Sequence, residues 1–291
     1  MAKVIDYLNL VKFSHTLFAM PFALLSFVYA AKSMPEFNNP YWWVMLLIQV
    51  VLCMVFARNV AMGFNRWADR FIDADNPRTA NREIPAGKIS PKQAAWFVAG
   101  NAILFIVVSA TINPLCGWLS PVALAIVMFY SYCKRFTSLA HIVLGFSLGI
   151  APVGATIAVL GDITLESVVL ALGVMCWSAG FDIIYALQDA EFDRSRGLHS
   201  VPSHFTARTS LIISALLHIA SLLFVALYTT YQPQSWLAWL GFGLFTVVVV
   251  SEHFLVTPTK QRNIGIAFGT FNALASVAYG LVLIANLLIF G

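Results

Sequence analysis

Six oxygen-bearing side chains recur at helical spacing in two distant segments of the sequence. They are Asn65, Asp69 and Asp73 in the first segment, and Asp182, Asp189 and Asp193 in the second. Offsets of four and seven residues place each set along one face of a helix. Carboxylate and amide oxygens are hard ligands that suit Mg²⁺ and suit zinc or copper poorly. The spacing therefore predicts two acidic motifs that bind Mg²⁺.

Basic side chains accompany both motifs. The loop over residues 76–90 carries Arg78, Arg82 and Lys88, and Lys134 and Arg135 follow a later apolar segment. Mg²⁺ in proteins commonly bridges carboxylates to phosphate oxygens, so acids surrounded by Arg and Lys predict a diphosphate ligand. Two simpler interpretations stay open: the loop residues neutralise the acids, and Lys134 and Arg135 only set membrane topology.

Arg58 lies seven residues before Asn65, on the same helical face. A cation at this depth of an apolar segment costs about 2.5 to 3.5 kcal/mol on insertion scales. It either reaches the interface, pairs with an acid, or contacts a ligand. Because it shares a face with the first motif, we predict a ligand contact.

The composition is that of an integral membrane protein. The 291 residues are 60% hydrophobic and 10% charged, with a mean hydropathy of +0.81. A bilayer-spanning helix needs about 20 apolar residues. Nine such segments lie near residues 14–31, 41–64, 94–112, 115–133, 138–160, 165–187, 208–228, 236–256 and 263–290. We expect an all-α polytopic membrane helical bundle of about nine transmembrane helices, forming a single domain over residues 1–291.

The distribution of basic residues predicts the orientation. Of the 17 Lys and Arg, all but Lys32 and Arg58 lie at the N-terminus or in loops after the even-numbered segments. Lys and Arg collect in cytoplasmic loops, so the N-terminus and both motifs are expected in the cytoplasm. The net charge of +4 is thus a topology signal, and we expect neither nucleic acid nor an obligate protein partner.

The remaining cysteines and histidines give weak signals. The four cysteines show no CxxC spacing, which is typical of packing residues. His15 opens the first segment as a structural residue or a ligand contact, and His199 and His204 lack further metal-ligand partners nearby. The first segment is expected to be a retained helix, not a signal peptide.

Four linked motifs resemble the UbiA family of intramembrane prenyltransferases. Asn65 to Asp73 matches its NxxxDxxxD pattern and Asp189 to Asp193 its second DxxxD. The stretches RTANREIPAGKIS, YSYCKR and DIIYALQDAEFD are similar to the flanking family patterns and occur in the same order. The resemblance implies a nine-helix bundle that uses Mg²⁺ to transfer an isoprenoid chain from its diphosphate to an acceptor, usually aromatic.

The resemblance also implies roles for individual residues. Metal binding falls to Asn65, Asp69, Asp73, Asp189 and Asp193, of which the four acids, with Arg58, are the candidate catalytic residues. Diphosphate oxygens are expected to contact Arg78, Arg82, Lys134 and Arg196. Arg58 is the candidate for an acceptor carboxylate, while Tyr130, Asp182 and Tyr185 orient the diphosphate or the acceptor. No residue is assigned as the base that removes the ring proton.

The opening LVKFSHTLFAMPFAL and the NREIPAGKIS loop look most like 4-hydroxybenzoate polyprenyltransferases, including relatives in menaquinone assembly. The expected substrates are a polyprenyl diphosphate and a small aromatic acid in a bacterial inner membrane. Haem-forming, tocopherol-type and chlorophyll-type branches are alternatives. CDP-alcohol phosphotransferases, a second enzyme class with aspartates on membrane helices, carry a DxxDGxxAR motif. This motif is absent from the sequence. A transporter would use the acids as an ion pathway. Against this, the acids are expected to cluster at one membrane surface with a basic loop, and the middles of the apolar segments are nearly devoid of charge.

Overall fold

Helices account for the regular structure of the part of the chain that the structure describes. A computed structural model describes residues 3–11 and 18–291, and apart from one isolated antiparallel bridge between Thr257 and Lys260 its regular elements are helical. His15 lies outside the described residues. In chain order the α-helices are α1 (Val4–Leu10), α2 (Met20–Lys32), α3 (Pro40–Ala68), α4 (Arg70–Asp75), α5 (Pro91–Ile112), α6 (Pro114–Cys133), α7 (Ala140–Leu160), α8 (Leu165–Ala186), α9 (Ala190–Ser195), α10 (Val201–His204), α11 (Ala207–Thr230), α12 (Trp236–Leu255), α13 (Ile264–Ile266) and α14 (Asn272–Phe290).

Among the described residues, eight helical segments are long and apolar enough to cross a membrane, and the 13-residue α2 is a shorter apolar helix. The eight segments are Pro40–Ala68, Pro91–Ile112, Pro114–Cys133, Ala140–Leu160, Leu165–Ser195, Ala207–Thr230, Trp236–Leu255 and Ile264–Phe290. With α2 they coincide with the nine predicted segments. The predicted fold class, a polytopic helical membrane bundle, is therefore confirmed.

Several of these helices begin at side-chain caps whose residue types are typical of helix N-termini. Ser90 accepts a hydrogen bond from the Gln93 amide at 3.2 Å, while Gln93 Oε1 accepts from the Ser90 amide at 2.9 Å. Pro91, whose ring fixes φ near the helical value, then occupies the first helical position. At α11 only half of this arrangement is present, since Thr206 Oγ1 accepts from the Thr209 backbone amide at 3.2 Å. These bonds satisfy donors that a helix start otherwise leaves unpaired.

Two compact units divide the chain. The first comprises Met1–Thr16 and Met45–Tyr132. In it, α3 and α5 are joined by polar pairs, including Asn59 Nδ2 donating to Asn101 Oδ1 at 2.8 Å and Gln49 Nε2 donating to Thr111 Oγ1 at 3.1 Å. Such bonds hold helices together in lipid, where apolar burial alone gives little preference for another helix over a lipid tail.

The second unit comprises Leu17–Val44 and Cys133–Gly291. Its core is an aromatic cluster in which Phe22 contacts Trp177, Phe245 and Tyr279 with ring centroids 5.4 to 6.1 Å apart. Gly149 lies so close to α8 that an added Cβ would stand 2.7 Å from the Ala171 carbonyl oxygen. Small residues of α7 thus permit a close approach of α7 to α8.

One irregular turn in the second unit bears on the site. Ala267–Phe271 forms a π-helical turn between α13 and α14. Asn272 Nδ2 donates to the carbonyl oxygens of Ala267 and Phe268, both at 3.2 Å. The turn carries Phe268, whose ring packs on Tyr185 with centroids 4.1 Å apart. The wider helical turn therefore fixes an aromatic contact to a predicted site residue.

Candidate functional site

The first acidic motif crosses a break between two helices of the first unit. α3 ends at Ala68 and α4 begins at Arg70, with Asp69 between them at φ −92° and ψ 7°. The Asp69 amide still donates to the Asn65 carbonyl at 2.9 Å, and the Asp73 amide to the Asp69 carbonyl at 2.7 Å. Asn65 Nδ2 also donates to Asp69 Oδ2 at 3.1 Å. The four-residue spacing thus survives the break and brings Asn65 and Asp69 into contact, as predicted.

Asp73 is the buried member of the first motif, with 5% of its surface exposed. Arg82 Nη1 donates to its Oδ1 atom at 2.6 Å in a charge-assisted hydrogen bond. Its Oδ2 atom is buried, and no side chain or backbone group in the described part of the chain donates to it. A buried carboxylate oxygen without a donor is costly unless a cation or solvent meets it.

The 76–90 loop that carries Arg82 is anchored by apolar packing. Ile84 and Ile89 are buried with Leu10 of α1 and Ala94 of α5. The Thr79 hydroxyl donates to the Asp73 carbonyl oxygen at 3.0 Å. These contacts hold the loop against the end of α4, and Arg82 is thereby fixed beside Asp73. Arg78, by contrast, is exposed, and its amide donates to Asn76 Oδ1 at 3.0 Å.

Arg58 is half-buried on α3, two helical turns before Asn65. Its Nε atom is buried, and none of the described residues accepts a hydrogen bond from it. Tyr130 of α6, also half-buried, and Arg66 of α3 lie near enough to influence the guanidinium electrostatically. Arg58 and Tyr130, predicted from unrelated stretches of sequence, are therefore neighbours in the first unit.

The second acidic motif repeats the same local construction in the second unit. α8 ends at Ala186, a 3₁₀ turn covers Leu187–Asp189, and α9 begins at Ala190. Asp189 stands at φ −108° and ψ 5°, close to the values of Asp69. Neither Asp69 nor Asp189 caps the helix that follows it with its side chain. In both motifs the first aspartate lies at a helix break and the second lies one turn later.

Asp193 is buried and held by a hydroxyl group. Ser200 Oγ, itself fully buried, donates to Asp193 Oδ2 at 2.8 Å. The Leu198 amide donates to the Asp193 carbonyl oxygen at 2.8 Å, which closes the turn after α9. The His199 amide donates to the Lys134 carbonyl oxygen at 2.7 Å. Lys134 is therefore tied to the same loop as the second motif.

Asp182 has a buried histidine as its partner, which no sequence pattern indicated. His141 Nδ1 and Asp182 Oδ2 are 2.6 Å apart, and the Val201 amide donates to His141 Nε2 at 3.2 Å. His141 precedes Asp182 by 41 residues, so no periodicity connects them. Ser200 was also missed. Its position three residues before Ser203, with Pro202 between them, is the pattern of a helix cap and was the available signal.

The other predicted binding residues differ in exposure. Tyr185 is half-buried against Phe268. Arg196 is exposed, and its guanidinium carbon lies 5.8 Å from the centre of the Phe192 ring. That distance is within the range of a cation–π contact. The roles assigned to these side chains stay predictions.

The fit of the motifs to Mg²⁺ can be judged from their atoms. Within residues 3–11 and 18–291, no three His, Cys, Asp or Glu side chains are grouped as a metal site. Each unit instead supplies two motif carboxylates, and the first unit adds the Asn65 amide. The unsatisfied Asp73 Oδ2 atom and the all-oxygen donor set are what a hard divalent cation requires. The residues present therefore fit Mg²⁺.

Comparison with known proteins now assigns the family. Residues 19–287 match the UbiA prenyltransferase family. The chain is a member of this family. The match begins in the second unit, runs through the first and ends in the second, so both acidic motifs belong to it.

Two named relatives are similar in sequence to most of this chain. A 4-hydroxybenzoate octaprenyltransferase of Yersinia pseudotuberculosis serotype IB (strain PB1/+) is 32% identical over 248 residues, covering 84% of this chain and 83% of the relative. A protein of the same name from Vibrio atlanticus (strain LGP32) is 28% identical over 250 residues, covering 85% of this chain and 84% of the relative. The chain is accordingly a prenyltransferase.

Solved structures share the UbiA fold. The apo structure of a UbiA homologue from Aeropyrum pernix K1 is 26% identical with a TM-score of 0.77, covering 94% of this chain and 97% of the other. A UbiA homologue from Archaeoglobus fulgidus bound to GPP and Mg²⁺ is 20% identical with a TM-score of 0.70, covering 96% and 99%. The predicted family is confirmed, which removes the transporter and CDP-alcohol phosphotransferase interpretations.

Proposed function

We propose that this UbiA protein transfers a polyprenyl chain from its diphosphate to 4-hydroxybenzoate or a similar hydroxybenzoate, in a Mg²⁺-dependent reaction of quinone biosynthesis. The names of the relatives support the acceptor, and the homologue bound to GPP and Mg²⁺ supports the diphosphate and the metal. We place the reaction in one domain of a bacterial inner-membrane protein, with its site toward the cytoplasm.

One observation carries the proposal. Both motifs are built alike, with an aspartate at a helix break and a second, buried aspartate held by one donor: Asp73 by Arg82 and Asp193 by Ser200. A structural ion pair in one loop needs no such repetition. Two sets of oriented carboxylates are what binding of metal-bound diphosphate requires.

The metal would be held by Asn65, Asp69, Asp73, Asp189 and Asp193, and when bound it would neutralise charge that develops on the diphosphate. Arg82, Arg78, Lys134 and Arg196 would donate to diphosphate oxygens as the allylic carbon–oxygen bond breaks. The electron pair of that bond leaves with the diphosphate. The allylic carbon then bonds to an electron-rich ring carbon of the acceptor, and the ring loses its proton.

Arg58 would bind the acceptor carboxylate. Its half-buried guanidinium has an Nε donor with no acceptor among the described residues, and a carboxylate matches a guanidinium's donor geometry. Tyr130 beside it, and Asp182 and Tyr185 in the second unit, would orient the acceptor or the diphosphate. An apolar bundle also limits access of water to the allylic cation.

Metal removal is the first test. Purified protein treated with EDTA is expected to lose prenyl transfer, and added Mg²⁺ is expected to restore it, because the carboxylates alone repel the diphosphate. Product formation from a labelled prenyl diphosphate and 4-hydroxybenzoate measures this. Full activity in EDTA-treated protein would contradict the metal dependence.

The acceptor is tested separately. Protein-containing membranes are incubated with a prenyl diphosphate, Mg²⁺ and a panel of aromatic acids, and products are identified by mass spectrometry. We expect a mass increase of one prenyl chain on 4-hydroxybenzoate or a close analogue. Prenylation of another acceptor alone would assign the protein to a different branch of the family.

A further inference from the structure

A buried histidine connects three segments of the second unit. His141 lies in the first turn of α7 with 1% of its surface exposed. One ring nitrogen contacts the Asp182 carboxylate on α8, and the other accepts a hydrogen bond from the Val201 amide at the start of α10. The described contacts of the imidazole thus use both nitrogens and leave neither for a ligand.

These contacts fix the tautomer of His141. A backbone N–H can only donate, so Nε2, which accepts from Val201 at 3.2 Å, carries no proton. The ring proton therefore resides on Nδ1, which donates to Asp182 Oδ2 across 2.6 Å. A neutral histidine held in one tautomer by a backbone group is a directional donor to the carboxylate.

The same segment reaches the second acidic motif. Val201 follows Ser200, whose hydroxyl donates to Asp193 Oδ2 at 2.8 Å and accepts from the Ser203 amide at 3.2 Å. Residues 200–201 are therefore bonded to Asp193 through the Ser200 hydroxyl and to His141 through the Val201 backbone amide. Asp182 and Asp193, predicted to act on the substrates and the metal, are therefore linked through His141 and the adjacent residues Val201 and Ser200.

We propose that His141 is a positioning residue of the prenyl transfer reaction, which sets the orientation of the Asp182 carboxylate and, through Val201 and Ser200, supports Asp193. The proposal rests on the proposed function and adds a residue that the acidic motifs do not contain. His141 acts through Asp182 and contacts no reacting group itself. Outer partners of ligating or binding side chains typically change activity by about 10- to 100-fold when removed.

The variants follow from the two ring nitrogens. His141→Leu removes the donor and the acceptor and is expected to lower kcat/KM about 10- to 100-fold. His141→Asn keeps an amide donor near the Nδ1 position and is expected to recover a large part of that loss. The control is His218→Leu. His218 is also buried, in α11, and its described bonds go to His253 and the Trp177 carbonyl oxygen. We expect this control to lower thermal stability and leave kcat/KM within about twofold, since no described bond links it to a motif.

A double-mutant cycle separates positioning from general stability. If His141 acts chiefly through Asp182, then His141→Leu costs much less activity in the Asp182→Asn background than in the wild type, and the loss that remains is the part that reaches Asp193 through Val201 and Ser200. Multiplied losses in the double variant would overturn the proposal. If the wild type transfers no prenyl chain to any aromatic acceptor, the proposed function fails first, and the positioning role fails with it.

A measurement without substrate tests the geometry on its own. In protein labelled with ¹⁵N-histidine, the His141 signal, assigned by its loss in His141→Asn, is expected to show the Nδ1–H tautomer. That signal should shift in Asp182→Asn, because the acceptor of the Nδ1–H bond changes. An Nε2–H or doubly protonated ring would overturn the proposal even if the wild type is fully active.

Discussion

Two roles are possible for Arg82 at its observed position beside Asp73. It neutralises Asp73 in the structure, at 2.6 Å, yet the same guanidinium is predicted to hold diphosphate oxygens. Arg82 can play the two roles one after the other. Once a metal binds the Asp73 carboxylate, the guanidinium no longer has to neutralise it. The ion pair would then be the resting arrangement of the site, in which Arg82 keeps the Asp73 carboxylate oriented.

Substitution of Arg82 distinguishes these roles. If Arg82 binds the diphosphate, Arg82→Gln raises KM for the prenyl diphosphate, by about 10-fold or more, because a charge-assisted hydrogen bond of about 1.5 to 3 kcal/mol is lost. If it only neutralises Asp73, the variant binds Mg²⁺ more tightly and KM changes little. We expect the first outcome. Titration of both Mg²⁺ and substrate measures it, and the control is Lys88→Gln, whose side chain is exposed in the same loop.

Arg58 is predicted to govern acceptor choice alone. Arg58→Gln is expected to raise KM for 4-hydroxybenzoate about 10-fold or more, because the partner of its carboxylate is removed. KM for the prenyl diphosphate should stay unchanged. A phenol without a carboxylate provides the internal comparison, since the wild type and the variant should use it equally well. An equal rise in KM for both substrates would contradict an acceptor-specific role.

At the scale of elements, the contact between α7 and α8 positions His141 against Asp182. An added Cβ at Gly145 would overlap the Met175 carbonyl oxygen, and one at Gly149 would stand 2.7 Å from the Ala171 carbonyl oxygen. Backbone atoms cannot move aside as a flexible side chain can. The two helices must therefore separate if either glycine acquires a side chain.

Gly145→Ala and Gly149→Ala are each expected to lower the free energy of unfolding by about 1 to 3 kcal/mol, the usual range for overpacking a close contact. Gly154→Ala on the same helix is the matched control, because no atom lies within 4 Å of its added Cβ. Thermal unfolding in detergent measures the difference. Equal midpoints for all three variants would show that α7 and α8 tolerate a wider separation.

The bounds of the apolar helices were predictable from sequence, whereas the breaks inside the motifs were not. Hydropathy reports a local preference, and it located most helix ends within a few residues. The breaks at Asp69 and Asp189 have no proline or glycine to announce them. After the first break the 76–90 loop bonds to the backbone of Asp73, a tertiary contact that no local pattern encodes.

The candidate site divides in the same way. Asn65 and Asp69 touch as their spacing predicted, because four residues on a helix return to the same face. The pairing of Arg82 with Asp73 was foreseen only as the neutralising alternative. His141 and Ser200 were not foreseen, since their partners are set by how α7, α8 and α10 pack. Sequence periodicity is blind to contacts between elements.

At the scale of the whole molecule, the distribution of charge makes orientation testable. Two probes with one added cysteine each are Lys88→Cys and Asn38→Cys. Lys88 is exposed in the basic 76–90 loop, and Asn38 is exposed in the turn between α2 and α3. If Lys and Arg mark the cytoplasmic side, a membrane-impermeant maleimide labels Asn38→Cys in intact cells and Lys88→Cys only in inverted vesicles. The wild type gives the background, because its four cysteines are buried or half-buried within apolar helices. The reverse labelling pattern would place the site on the outer face.

The π-helical turn at Ala267–Phe271 has a consequence for how this chain tolerates changes in length. A π-turn holds one residue more than the α-helix around it. Deletion of Gly269 would let a regular helix continue into α14. The part of the helix before the deletion, α13 to Phe268, would then rotate by about 100° about the helix axis relative to α14. Phe268 would then leave the Tyr185 ring while the anchoring of α14 by Tyr279 stayed in place. The extra residue of the π-turn therefore sets the rotation between the two ends of this helix. It allows Phe268 to contact Tyr185 while Tyr279 contacts Phe22.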